Sequence, residues 1–470
     1  MNKFKQTLKY VLSDVIAAGL AWTLFFFFRK IYIESKYFGE VYLSIDSNFY
    51  LGITLIPLSW LLIYYISGYY YDIYRKSRLK EISQTFSMSL FGVLIIFFKL
   101  ILDDIITSYN DYYQSLLFLF LAHFLLTYIP RVFITSNTIK KIHSKKIGFP
   151  TLLVGSNGQA AKIFREIEDM KKSPGNKFVG FVNIYNHSNP ELEVDIPCLG
   201  KYEDLPEIIN KNKIEEVIIA IESSEHNEIK DILSKLLFTN VRVKILPSLY
   251  DIISGYVTLV TLYKTPLIEI HNRRMSVSQE NLKRIIDVSL SLLAVIILIP
   301  VYFVVALGVK LSSKGPVFYK QERVGKNSKP FKIIKFRSMF IDAEKDGPAL
   351  SSSSDSRITP FGKFMRKTRL DEIPQFFNVI FGEMALVGPR PERQFYIDLI
   401  VPQAPFYMSL LRVKPGITSL GQVKYGYAEN VEQMIERMKY DLVYLQNMSI
   451  YLDFKIMILT VKTVFEASGK

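Results

Sequence analysis

The chain has 470 residues, with 58 Lys and Arg against 44 Asp and Glu, a net charge of +14, and aromatic residues at 14%. Such a charge suits nucleic acid, an anionic membrane surface or a phosphorylated substrate; the aromatic and apolar content favours a membrane and argues against nucleic acid. The single cysteine, Cys198, excludes an internal disulfide framework, and five scattered histidines show no zinc-ligand spacing.

Four apolar stretches fill the first third, at 11–28, 49–66, 86–102 and 113–129. Each approaches the ~20 residues that cross a bilayer as a helix. They predict a four-helix transmembrane domain over 1–135. No small-residue cleavage site follows the first stretch, so no cleavable signal peptide is expected. Bases flank the first stretch (Lys3, Lys5, Lys9), the second-to-third connection (Arg75, Lys76, Arg78, Lys80) and the end of the fourth (Arg131, Lys140, Lys141, Lys145, Lys146). The third-to-fourth connection holds Asp103, Asp104 and Asp111 and no base. The positive-inside rule then puts both ends of the bundle in the cytoplasm.

From Gly148 the composition becomes that of a soluble domain. PTLLVGSNGQAAKIFREI reads as strand, glycine turn and helix, and apolar runs at 214–221 and 241–247 read as further strands separated by amphipathic helices. This alternation predicts an α/β, Rossmann-like domain with a parallel sheet over 148–265. The turn departs from a dinucleotide fingerprint. Asn157 stands where a glycine would let the backbone approach a pyrophosphate, and Ala160 replaces the last glycine. A structural or regulatory domain is expected, with no cofactor bound.

A fifth apolar run, 288–309, is uncharged and long enough to cross a membrane. Basic residues flank it on both sides: Arg273, Arg274, Lys283 and Arg284 before, Lys310, Lys314, Lys320 and Arg323 after. Pro300 removes a backbone donor mid-run and predicts a bend. A re-entrant helix over 285–311, broken at Pro300, satisfies both facts; a straight crossing would place everything after Lys310 outside.

The last third carries GPVFYKQERVGKNSKPFKIIKFRSM, then SRITPFGKFMRKTRLDEIPQFFNVIFGEMALVGPRPE, VKPGITSLGQV and DLVYLQNMSIYLDFKIMILTV. These ordered segments, from about Lys283 onward, resemble the bacterial sugar transferase family, the monotopic phosphoglycosyl transferases that act on polyprenyl phosphate. The preceding spans and α/β domain resemble its long form, typified by undecaprenyl-phosphate galactose or glucose phosphotransferases. The resemblance implies an α/β catalytic domain over 280–470. It also implies transfer of a sugar 1-phosphate from a UDP-sugar to undecaprenyl phosphate, with UMP released and a surface glycan such as capsule, exopolysaccharide or O-antigen begun. Partners are then the UDP-sugar, undecaprenyl phosphate and the lipid bilayer, with no nucleic acid and room for a homodimer. The location is the bacterial inner membrane, with the catalytic domain on the cytoplasmic face.

This chemistry needs a nucleophile at phosphorus and cations around a diphosphate. A carboxylate can attack phosphorus and split one difficult step into two, and Mg²⁺ commonly bridges one or two carboxylates to phosphates. Asp371 and Glu372 are adjacent, with Pro374 suited to a first helical turn, where the helix dipole favours acids. The resemblance implies Asp371 as nucleophile and Glu372 as metal ligand or proton acceptor, both near Mg²⁺; alone, the pair could merely cap a helix. Family motifs place Lys335, Arg337, Arg366 and Arg390 near the substrates, Arg390 fixed between Pro389 and Pro391. Lys335 and Arg337 could instead reach toward anionic headgroups. Asp453 matches a family position with an active-site or arginine-orienting role, though a solvated acid fits the segment equally. Lys414 stands where the family usually has arginine, and Ser419 where it has glycine. Lysine keeps the charge but not the bidentate fork. Two readings remain open beside this one: a membrane-anchored nucleotide-sugar oxidoreductase, and a non-enzymatic scaffold or regulator of glycan export.

Overall fold

The computed structural model describes residues 3–39, 45–98, 109–184, 190–221, 226–236, 239, 241–246, 259–261, 267–270, 275–343, 355–426 and 428–465. Its chain divides into two compact units. One comprises Met1–Leu199, Asn212–Ala220 and Thr261–Leu267; the other comprises Gly200–Lys211, Ile221–Val260 and Ile268–Lys470.

The first unit begins with helices α1 (Lys3–Phe28), α2 (Ser47–Ile66), α3 (Arg78–Ile96) and α4 (Tyr109–His143). The side chains of Asp46 and Ser77 accept the backbone N–H groups of Phe49 and Lys80 and so start α2 and α3. On α1 the outward stripe is Leu8, Leu12, Ile16, Leu20 and Leu24, all exposed, while Tyr10, Asp14, Ala17, Ala18 and Ala21 are buried. Polar residues Thr85, Ser89, Ser115, His123 and Thr127 also lie inside the bundle. Apolar outside with polar inside is the pattern of a helix bundle in lipid and the reverse of a water-soluble one. All four helices are long and apolar enough to span a membrane. This is a membrane protein. The expected end of the third span, with Asp103 and Asp104, lies outside the described residues.

Two of the bases expected in the flanks are inside the bundle. Arg131 is fully buried; its Nε and Nη2 donate to the two oxygens of Asp14 at 2.7 and 2.8 Å. Tyr70 also donates to Asp14, and the guanidinium lies 3.7 Å from the centre of the Tyr69 ring. Lys76 is buried against the same ring, 3.8 Å from Glu81. Their charges therefore bind α1, α3 and α4 together, leaving orientation to the remaining lysines and arginines. Asp111 is likewise buried, bonded to Lys36 and Tyr37 in the short helix Ser35–Phe38 that follows α1.

In the same unit β1 (Phe149–Val154) lies between β2 (Asn176–Asn183) and β3 (Glu216–Ile219), parallel to both. The expected strand–turn–helix is present: Asn157 caps α5 (Gly158–Glu168), its Oδ1 accepting from Ala160 N at 2.9 Å. Arg75 stacks on Phe149 and donates to the buried Glu216 at 2.8 Å. In the second unit, β4 (Arg242–Ile245) pairs with residues 268–270 of β5 (Leu267–Ile270) in antiparallel fashion. The strands are therefore not all parallel.

The second unit continues with α6 (Val277–Ile297) and α7 (Ile299–Ser312), which meet at a 64° bend. The break falls at Leu298, two residues before the proline expected to cause it. Pro300 sits in the first turn of α7, where no donor is needed, and its ring opposes continuation of the preceding helix. Strands β6 (Phe318–Val324) and β7 (Pro330–Phe336) form an antiparallel hairpin. Then follow α8 (Pro360–Thr368), α9 (Gln375–Phe381), β8 (Ala385–Val387) and β9 (Gly416–Thr418), α10 (Leu420–Lys424), α11 (Val431–Gln446) and α12 (Ile450–Phe465). Phe331 and Ile333 of β7 pack with Val379, Met384, Val387, Tyr444 and Ile456 into one core, which fixes the hairpin against α9 and the last two helices.

Candidate active site

The acid pair is built from the chain on both sides of it. Thr359 caps α8 through Gly362 N, and the helix stops at Arg369, a non-glycine residue held in the left-handed region at φ 59°. A 3-10 turn, Leu370–Glu372, follows, and Pro374 caps α9. The pair was expected in the first turn of the helix carrying Pro374. It lies instead in its own tight turn ahead of that helix, so the two carboxylates are set by the turn rather than by α-helical spacing. Both are nearly buried. Tyr302 of α7 donates to Ile373 O at 2.9 Å and ties the turn to the bent helix.

Asn378, fully buried, holds the opposite wall. It accepts from Ile334 N at 3.0 Å and donates to Lys332 O at 2.9 Å, locking β7 to α9. Lys335, next on that strand, then reaches Glu372 Oε1 at 2.7 Å. Arg390 Nη2 lies 3.8 Å from the same oxygen, and Arg369 Nη1 lies 3.5 Å from Oε2. The Gly388–Glu392 turn that presents Arg390 passes against β9. Gly388 N donates to Thr418 O and Gly416 N to Pro389 O, and a Cβ on Gly416 would sit 2.1 Å from Gly388 N. Only glycine fits there.

Electrostatics separate the two acids. Burial and the charge of Glu372 push Asp371 above the usual carboxylate range, against the pull of Lys335, Arg366 and Arg369. Burial would raise Glu372 as well, but Lys335, Arg390 and Arg369 override it and hold Glu372 well below that range. Neighbouring carboxylates in unequal surroundings take unequal protonation states, the arrangement by which one site runs two roles.

Asp371, Glu372, Lys335, Arg337, Arg366 and Arg390 all line one cavity of about 690 Å³. Arg366 Nε donates to Ser338 Oγ at 3.0 Å. Arg337 Nη2 donates to Ser313 O at 2.7 Å at the end of α7, while its buried Nε and Nη1 have no hydrogen-bond partner among the described residues. Lys335 is thus turned to the acid pair, whereas the Arg337 guanidinium lines the cavity while held by Ser313 at the end of α7. The structure does not bring Lys414 or Asp453 to this cavity wall. Lys414 lies beside Gly382 and Arg284, and burial together with the Arg284 and Lys326 charges lowers its pKa. Asp453 accepts from Lys283 Nζ at 2.6 Å and Tyr444 OH at 2.7 Å, tying α12 to α6 and α11. It is buried rather than solvated, and its partners among the described residues are a lysine and a tyrosine rather than an arginine. Ser419 caps α10 by accepting from Gln422 N, which gives the serine a local reason to stand where it does.

Sequence reading missed Arg323, Glu392 and Arg437 on the same wall. Glu392 accepts from Arg437 Nη2 at 2.6 Å and from Arg323 Nη1 at 3.4 Å, while Asp441 accepts from Arg390 N and Gly421 N. These acids anchor the turn that carries Arg390. Glu392 stands in the quoted GPRPE stretch and was findable; Arg437 looks like any charged helix residue. Among the described residues no cluster of three His, Cys, Asp or Glu side chains could hold a metal. Asp371 and Glu372 do bring carboxylate oxygens, the ligand type magnesium takes, to this cavity wall.

A family model described as bacterial sugar transferase matches residues 278–467, and one described as a CoA-binding domain matches residues 69–247. The chain is 31% identical over 428 residues to the UDP-glucose:undecaprenyl-phosphate glucose-1-phosphate transferase of Klebsiella pneumoniae, covering 88% of this chain and 89% of the relative. Its counterpart in Escherichia coli (strain K12) is 30% identical over 412 residues, covering 87% of each. The UDP-N-acetylgalactosamine-undecaprenyl-phosphate N-acetylgalactosaminephosphotransferase of Aeromonas hydrophila is 39% identical over 188 residues, 40% of this chain and 44% of the relative. In the glycine turn of the matched CoA-binding region, the side-chain oxygen of Asn157 takes one first-turn N–H, that of Ala160.

Proposed function

The chain belongs to the bacterial sugar transferase family and is an enzyme of its phosphoglycosyl transferase class; we propose that it moves a sugar 1-phosphate from a UDP-sugar to undecaprenyl phosphate at the cytoplasmic face of the inner membrane. One observation carries this reading: two adjacent buried carboxylates, pulled to unequal protonation, stand on the wall of a cavity ringed by Lys335, Arg337, Arg366 and Arg390. The cavity volume lies within the ~300–1,000 Å³ usual for small-molecule sites.

An oxygen of the Asp371 carboxylate attacks the phosphorus that bears the sugar. The P–O bond to UMP breaks, and UMP leaves with its electron pair. Asp371 now carries the phosphosugar as an acyl phosphate. A phosphate oxygen of undecaprenyl phosphate then attacks the same phosphorus, the bond to Asp371 breaks, and the carboxylate is restored. Undecaprenyl phosphate attacks as its dianion, because Glu372, held ionised by Lys335, Arg390 and Arg369, is too weak a base to take a proton from it. Arg390, Arg366 and Lys335 offset the charge that develops on the phosphate oxygens. Asp371 and Glu372 would hold Mg²⁺, which supplies further charge neutralisation at the diphosphate. The bent pair α6–α7 enters and leaves the same leaflet, which keeps the site at the bilayer surface where a soluble donor and a lipid acceptor meet. The lipid-diphosphate sugar begins a surface glycan.

Full-length protein in bilayer discs, given UDP-sugars without acceptor and quenched in acid, should gain one phosphosugar on the peptide containing Asp371. Asp371→Asn should lose roughly 10³-fold or more in turnover, because a neutral amide is a poor nucleophile. Robust turnover without the adduct would replace the covalent route by direct transfer.

A further inference from the structure

Glu372 is a wall shared by two cavities. Its Oε1 meets Lys335 and Arg390, which line the large cavity; its Oε2 meets Arg369, which lines a second cavity of about 140 Å³. The second cavity is apolar over most of its wall, formed by Ile373, Phe376, Ile417 and Val423. Thr418 and Thr460 also line it, but their hydroxyls bond each other at 2.7 Å, and Thr460 donates to Ile456 O. They add little polarity to the space.

We propose that this second cavity seats the phosphate end and first isoprene unit of the lipid acceptor, beside the large cavity that takes the nucleotide sugar. The inference rests on the phosphoglycosyl transferase reading above. Size separates the occupants, because 140 Å³ is far below what a nucleotide diphosphate sugar needs, whereas it suits one branched five-carbon unit. Charge separates them too. The small cavity is lined by a single arginine, matched to a phosphate monoester, and the large one by several cations, matched to a diphosphate. Arg369 is placed there by its left-handed backbone, a conformation costly for a non-glycine residue that tends to persist at functional sites. Thr460 and Thr463 lie on the inward stripe of α12 with the buried Asp453 and Ile456, while Tyr451, Phe454, Ile458 and Val461 form its opposite, exposed face. The acceptor phosphate meets Arg369 beside Glu372, the residue both cavities share. Attack forms the new P–O bond and returns the electron pair of the old one to the Asp371 carboxylate.

The test separates the two half-reactions in full-length protein in bilayer discs. Val423→Phe fills the small cavity. The burst of UMP from a UDP-sugar without lipid should keep its wild-type amplitude, while the KM for undecaprenyl phosphate rises tenfold or more. An unchanged KM would overturn the inference. A wild-type protein that releases no UMP from any UDP-sugar would instead overturn the functional reading beneath it. If Val423→Phe loses both half-reactions through misfolding, a photoreactive benzoylphenylalanine in place of Thr463 decides. It should crosslink radiolabelled undecaprenyl phosphate in competition with the unlabelled lipid and not with a UDP-sugar. Crosslinks to bulk phospholipid alone would sink the proposal.

Discussion

Lys335 donates its 2.7 Å hydrogen bond to Glu372, not to the adjacent Asp371. The cation therefore keeps Glu372 ionised, and Glu372 in turn resists ionisation of Asp371. Attack requires the Asp371 carboxylate, so activity should fall on the acid side at a pH above the ordinary aspartate range. Two substitutions should move that limb in opposite directions. Arg366→Gln removes a positive charge that lowers Asp371, so the limb should shift to higher pH. Glu372→Gln removes the negative charge that raises Asp371, so the residual activity should show a limb at lower pH. Single-turnover UMP release across pH 4–8 measures both, and shifts of the same sign would remove Glu372 as the cause.

Asp453 should act on stability rather than on substrate affinity. Its carboxylate is buried between Lys283 and Tyr444. Removing one partner of a buried ion pair leaves the other charge uncompensated, at about 3–5 kcal/mol. Asp453→Ala should lower the unfolding midpoint clearly, while the folded fraction keeps the wild-type KM for the UDP-sugar. A KM raised tenfold in a protein of unchanged stability would restore the substrate role that the sequence motif implied.

The parts legible in the sequence were those with a local signal. Apolar run length gave the spans, alternation gave the strand–turn–helix at Gly155, and adjacent acids beside GPRPE gave the centre of the site. What stayed hidden depends on side chains far apart in the chain. Arg131 reads as a flanking base because its partner, Asp14, lies 117 residues away. Asn378 reads as an ordinary helix residue, yet it joins two elements that set the distance from Lys335 to Glu372. Asp453 and Lys414 carry family motifs, but motif order does not say which charges converge. The acid pair itself was put on the wrong element because Arg369, a bulky residue, takes the left-handed position usually left to glycine.

The self-capped turn at Asn157 makes a prediction for the middle domain. Neither coenzyme A nor NAD(P) should raise the melting temperature of the full-length protein, because only ligands that bind the native state stabilise it. Asn157→Gly frees Ala160 N and costs only a few tenths of a kcal/mol in helix capping. A saturable stabilisation of the wild type by either compound, followed by calorimetry, would show a working site and favour the oxidoreductase reading.

The bend at Leu298 has a consequence for topology. If α6–α7 returns to the leaflet it enters, both of its ends share the compartment of the catalytic domain. If the pair is one broken span, its ends lie on opposite sides. Ser276 and Lys314 are exposed near the two ends, and Tyr109, at the start of α4, is exposed on the side opposite the basic flanks. In a Cys198→Ser background, which removes the native exposed thiol, single cysteines at these three positions can be labelled in intact cells with an impermeant maleimide. The positive-inside orientation predicts labelling at 109. The re-entrant arrangement predicts protection at both 276 and 314, with both becoming reactive once the cells are broken. Labelling at 314 alongside protection at 276 would make the pair a fifth crossing. It would also carry the acid pair away from the cytoplasmic pool of nucleotide sugar, and the proposed reaction could not then proceed as written.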